Sequence, residues 1–185
     1  MLDAAVAELV DIGYEGVTML GIARRAGASK ETLYSWFGSK EGLLRALIER
    51  EVSDAAERTR AALGQEGPPD RILVDGARAL LRRATTDGSV AIRRAAVTSV
   101  ALGRFALDLE REQIDAVIEA YMARLTHLGP FLIPDPGTAH RLYRSLITAD
   151  LELRILLGQE LPAENELHAR ASTGVDRFLA LVAAP

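Results

Sequence analysis

Between Thr18 and Lys40 the chain sets hydroxyls, two lysines, a carboxylate and two large aromatics close together. Thr18, Ser29, Lys30, Glu31, Thr32, Tyr34, Ser35, Trp36 and Lys40 can donate to phosphate, meet a base edge or stack, which is the chemistry of nucleic-acid contact. The lysines are the sharpest part of the signal. Of 22 basic residues only Lys30 and Lys40 are lysine, and each directly follows a serine, Ser29 or Ser39, suited to cap a helix. A cation at a first helical position opposes the helix dipole, at a cost of roughly a few tenths of a kcal/mol. A phosphate at each helix start would remove the conflict, because free backbone N–H groups and the ammonium both favour the anion. The plain alternative is that both lysines are solvated and the dipole cost is too small to matter.

Those residues need two short helices around a tight turn. Thr18 can cap the first, with Ile22 and Ala23 facing inward. Gly27 supplies the left-handed residue required before a sharp corner. Ser29 caps the second, where Leu33 and Phe37 point inward and Lys30, Thr32, Tyr34, Ser35 and Trp36 remain outside. Two helices joined by so short a glycine-containing link form a helix-turn-helix, whose second helix fits the major groove of DNA.

The segments AAVAELVDIGYEGVTM, IARRAG, SKETLYSWF and GSKEGLL together resemble the DNA-binding head of the TetR family of bacterial transcriptional regulators, over roughly the first 48 residues. The resemblance implies a helix-turn-helix domain at 1–48 and a helical ligand-binding and dimerisation domain at 49–185. It further implies a homodimer, most simply a repressor that leaves a palindromic double-stranded DNA operator when a small molecule binds the second domain. Two residues depart from the family pattern. Glu31 stands where a small residue is common; it could accept from cytosine N4, repel wrong sequences or complement the helix dipole. Met1 falls almost on the first helix, so the short basic arm that often precedes it in this family is missing from this sequence.

Composition agrees with an all-α chain: 49% of residues are hydrophobic and only 5% aromatic, with no cysteine for a disulfide framework or thiol chemistry. The net charge of −4 argues against general affinity for polyanions. Residues 21–45 differ, holding Arg24, Arg25, Lys30, Lys40 and Arg45 against Glu31 and Glu41. No run approaches a membrane span and no signal peptide is visible, so a cytoplasmic protein is expected.

Glycine and proline divide the chain into about nine helices. Leu2, Val6, Leu9 and Val10 form a stripe ending at Gly13; a long helix runs from Ser39 to about Gly64; another spans about 69–86. Helices of about 89–103 and 105–128 are expected to meet at Gly103, and 130–137 is a proline-rich turn. One helix of about 138–158 and a last one to about 183 complete the count.

The final two helices suggest assembly. In the first, Leu142, Leu146, Leu153 and Leu157 cover one face, with Ile147, Leu151 and Ile155 nearly opposite, so both sides need a cover. In the second, Leu167, Ala171, Val175, Phe178 and Val182 form a stripe beside Gly174. Paired across a two-fold axis these would make a four-helix interface; the alternative is burial inside one chain. A pocket for a partly apolar effector is implied by the family alone. Phe105, Tyr121, Phe131 and Tyr143 could line it, with Thr98 or His127 as polar anchors, although ordinary core packing accounts for them equally well. No cofactor, metal or catalytic constellation is expected. His127, His140 and His168 lie on different segments, and no phosphate loop, serine elbow or cysteine nucleophile occurs. The competing reading is a helical sensor or scaffold whose head no longer binds DNA, favoured by Glu31 and by the acids Asp3, Glu8, Asp11 and Glu15.

Overall fold

The structure, a computed structural model, describes residues 1–184. Eleven α-helical segments follow one another: α1 (Leu2–Gly16), α2 (Met19–Arg25), α3 (Lys30–Phe37), α4 (Lys40–Leu63), α5 (Pro69–Thr85), α6 (Asp87–Ala96), α7 (Val100–Glu110), α8 (Ala116–Leu125), α9 (Pro136–Thr148), α10 (Leu151–Leu156) and α11 (Glu164–Val182). A π-turn, Arg111–Asp115, joins α7 to α8 without a break. The one β feature among the described residues is an isolated bridge between Phe131 and Ala183. The chain is all-α, as its composition and periodicity imply.

Local chemistry sets most helix ends. Thr18 and Ser29 cap α2 and α3, and Asp135 caps α9, its carboxylate accepting from the Thr138 amide at 2.9 Å ahead of Pro136. Two boundaries depart from expectation. Gly103 lies inside α7, and the chain bends instead at 97–99. The helix expected at 138–158 is broken after Thr148, where Ala149 adopts φ +43° and turns the chain into α10. Arg170 stabilises that break by donating to the carbonyls of Ile147 at 2.7 Å and Thr148 at 2.8 Å, which a helix end leaves without partners.

Two compact units emerge. The first comprises Met1–Val52 with Thr86–Leu109, the second Ser53–Thr85 with Glu110 onward. Residue 48, where the head was expected to end, lies within α4. In the first unit α1 packs on α2 and α6 over a core that includes Ala5, Leu9, Ile22, Leu33 and Leu47. In the second, α11 packs on α5 and α9, and α9 on α8.

The stripe of α11 serves that second core. Ala171, Gly174, Val175, Phe178 and Val182, expected at a subunit interface, are all buried inside the single chain. Gly174 explains how. A Cβ there would lie 2.6 Å from Ile147 Cδ1 and 3.0 Å from the Leu146 carbonyl, so only glycine lets α11 sit this close to α9. Phe178 meets the Tyr143 ring edge-on, with centroids 5.4 Å apart. The two faces read on the preceding segment separate cleanly. Ile147, Leu151 and Ile155 are buried, Leu142 and Leu146 are half-buried, and Leu153 and Leu157 are 59% and 78% exposed; Leu167, on α11, is half-buried.

The second unit also holds a buried ionic network. Glu110 accepts from Arg83 at 2.5 Å and from Arg144 at 3.2 Å, while Arg144 also donates to Asp115 at 2.7 Å. His140 lies between Asp115, 3.2 Å from Nε2, and Glu119, 3.4 Å from Nδ1. Burial alone would raise the Asp115 carboxyl, but the His140 contact and the Arg144 charge hold it below the usual carboxylate range.

Candidate nucleic-acid interface

The helix pair α2–α3 is built as its residues dictate. Thr18 Oγ1 accepts from the Gly21 amide at 3.0 Å and Ser29 Oγ from the Thr32 amide at 3.0 Å, so each helix starts on a side-chain cap. Gly27 has φ +63°, the left-handed turn expected between them. Ile22, Ala23 and Leu33 are buried and seat the pair on the first unit's core. Phe37, expected inward, is half-buried.

What remains outside on α3 is Lys30, Glu31, Tyr34, Ser35 and Trp36, with Thr32 half-buried at the start of the helix. Tyr34 is 44% exposed and Trp36 69%. Lys30 Nζ lies 5.5 Å from the centre of the Tyr34 ring, a loose cation–π contact. Glu31 behaves as a first-turn acid. Its own backbone amide, then the Ser29 hydroxyl and the Lys30 charge, hold its carboxyl below the usual range.

Lys40 sits differently from Lys30. Its ammonium donates to the Tyr14 carbonyl at 2.5 Å and lies 4.1 Å from the centre of the Tyr14 ring. The cation at the start of α4 therefore completes the C-terminal end of α1. This resolves the helix-dipole conflict without an external anion. A second close fit fixes the corner between α3 and α4: a Cβ on Gly42 would stand 2.0 Å from the Phe37 carbonyl oxygen.

Other cations of the segment are also engaged. Arg25 binds Glu8 at 2.8 Å and Asp11 at 2.5 Å, fastening α2 to α1. Arg45 pairs with Glu41 at 3.2 Å and stacks 4.8 Å from the centre of the Phe105 ring. Arg24, Lys30 and Lys40 are the cations of 21–45 that no carboxylate engages among the described residues, and Lys40 meets the Tyr14 carbonyl instead. The acidic residues of α1 thus act in part as internal counter-charges, a role that sequence alone does not assign.

The six residues suggested for an effector pocket divide between the two units. Thr98 and Phe105 belong to the first unit; Thr98 is exposed, its hydroxyl donating to the Ala95 carbonyl at 2.7 Å. In the second unit His127 is exposed and Phe131 half-buried. Tyr121 and Tyr143 are fully buried core, and Tyr143 donates to the Leu73 carbonyl at 2.6 Å.

Comparison with known proteins gives this geometry its family. Residues 1–47 match the model of bacterial regulatory proteins of the tetR family, and residues 71–183 that of the AefR-like transcriptional repressor C-terminal domain. An Agrobacterium tumefaciens TetR transcriptional regulator is 32% identical, with TM-score 0.78 over 99% of this chain and 92% of that one. A Mesorhizobium loti chain assigned to the same family superposes with TM-score 0.89 at 24% identity, covering 99% and 95%. The A-factor receptor protein of Streptomyces griseus is 37% identical over 76 residues, 41% of this chain and 25% of the relative. The regulator BetI 1 of Chromohalobacter salexigens is 33% identical over 81 residues, 41% and 40% respectively. The chain thus spans less than half the length of these curated relatives. It belongs to the TetR family of bacterial transcriptional regulators. Among the described residues no helix is long and apolar enough to cross a membrane.

Proposed function

We propose that the chain is a DNA-binding transcriptional regulator that represses from a palindromic operator as a cytoplasmic homodimer and is released by a small molecule. The observation that carries this is α3: a two-turn helix, capped at its start, with Leu33 buried and both Tyr34 and Trp36 largely exposed. Large aromatics at so exposed a position match a helix that stacks on something outside the chain. In this reading residues 1–48 engage DNA and 49–185 carry ligand response and dimerisation. Thr18, Ser29 and Lys30 contact phosphates beside the helix starts; Glu31, Thr32, Tyr34, Ser35 and Trp36 face the groove. Lys40 is assigned to the fold instead, through Tyr14.

Dimerisation has support in the outward leucines of α9, of α10 and just beyond it, above all Leu153 and Leu157, which leave an apolar face uncovered in one chain. Pairing through that face, rather than through α11, is the interface we propose.

A mobility-shift titration against random duplexes at several salt concentrations tests the reading. Binding that weakens as salt rises is expected, and Lys30→Ala should flatten the slope by about one unit while weakening all sequences alike. The alternative, a sensor or scaffold without DNA affinity, is favoured by the engagement of Arg25, Lys40 and Arg45 within the fold. An absence of any shift at low salt would establish it.

A further inference from the structure

The second unit holds an open groove of about 740 Å³ between α4, α5 and the start of α11. That volume lies within the roughly 300–1,000 Å³ of small-molecule sites. The candidate aromatics from the sequence do not line it. Its wall is partly apolar, through Ala62, Leu161 and Leu167, and its charged lining holds Arg58, Arg78 and Arg82 against Asp75 and Glu164.

Among the described residues none of the three guanidiniums pairs with a carboxylate. Nearby arginines do pair: Arg60 with Glu57, Arg83 with Glu110. Arg78 and Arg82 stand four residues apart on α5, so like charges sit on adjacent turns of one face. Such a like-charged pair is unfavourable on an isolated helix, and an anion between the two would reverse the sign. Three guanidiniums against two carboxylates leave one net positive charge, on a chain whose overall charge is −4. One added carboxylate neutralises it.

We infer that this groove is a binding site for a small organic anion with an apolar chain. The carboxylate lies against Arg78 and Arg82, whose planar forks suit it, and the chain runs along Leu161 and Leu167. Its role as the effector site rests on the regulator reading above; the binding site itself does not.

The test is calorimetric titration of the DNA-free protein with decanoate and, separately, decanol. Wild type is expected to bind decanoate, with the double variant Arg78→Gln and Arg82→Gln weaker on the order of tenfold or more, a loss of charge-assisted hydrogen bonds. Decanol should bind both proteins equally weakly. Arg71→Gln removes an exposed arginine of α5 outside the groove and should leave decanoate binding unchanged. Thermal melts verify that each variant is folded, and Arg58→Gln, an independent change on α4, should also weaken decanoate binding. The inference fails if wild type does not bind decanoate, if decanol binds as well, or if Arg71→Gln costs as much as the double variant. It fails equally if the double variant changes the mass by light scattering, since a second copy would then occupy the groove. Because no DNA is present, failure of the operator reading cannot mimic any of these results. Decanoate added to a preformed DNA complex then tests regulation separately.

Discussion

Phe178→Asp is expected to unfold the second unit, not to release a folded single chain. Phe178 is fully buried against Tyr143, and removing a buried phenylalanine costs about 3–5 kcal/mol from lost contacts and the cavity alone. A carboxylate in its place adds the penalty of a buried, unpaired charge. Together these take most of the 5–15 kcal/mol that holds an ordinary domain. Circular dichroism melts should show loss of cooperative helix unfolding. Leu157→Asp should do the opposite, because Leu157 is 78% exposed. Its melt should stay within about 1 kcal/mol of wild type, while light scattering reports half the mass. A folded, monomeric Phe178→Asp protein would return the interface to α11.

Glu110→Ala is expected to be the most damaging change to a charged residue. It removes the acceptor shared by Arg83 and Arg144, at a cost of about 3–5 kcal/mol, as when one partner of a buried pair is deleted. The π-turn lets Arg144 in turn meet two carboxylates. Residues five apart on an α-helix point about 140° from each other, yet Glu110 and Asp115 both reach Arg144. The i→i+5 turn between them brings both carboxylates onto one side. Denaturant titration of Glu110→Ala measures the loss; a cost below about 1 kcal/mol would contradict the role given to the network.

The same network sets an acid limit. The Asp115 carboxyl is held low in the folded chain, so its contribution is fully present above the unfolded value of about 3.9. It fades as pH falls through the lower, folded value. Asp115→Asn should therefore be less stable at neutral pH and show a flatter loss below about pH 4, read from melts across pH. Equal acid slopes in both proteins would remove Asp115 from the account.

The helix-turn-helix was legible because its signals are local. Caps at Thr18 and Ser29, the turn at Gly27 and the inward Leu33 each act within a few residues, and the structure places all four as read. The later helices were legible as apolar faces but not in what covers them. A stripe such as Val175 to Val182 says that a cover exists; whether it is α9 or another subunit depends on contacts distant in sequence. Breaks were read where glycine suggested them, yet Gly103 continues a helix and Ala149, without a glycine's freedom, ends one because Arg170 and its neighbours hold it there. The π-turn carried no residue-type signal. Nor did the fate of Lys40, whose partner lies 26 residues earlier in the chain.

The chain contains a single tryptophan, and it stands largely in water on α3. Tryptophan emission from the whole molecule therefore originates at one point on that helix. It should begin red-shifted, change little when the second unit melts, and respond strongly to anything that covers α3. The protein carries its own fluorophore on the surface assigned to DNA, so occupancy of that surface can be followed without a label.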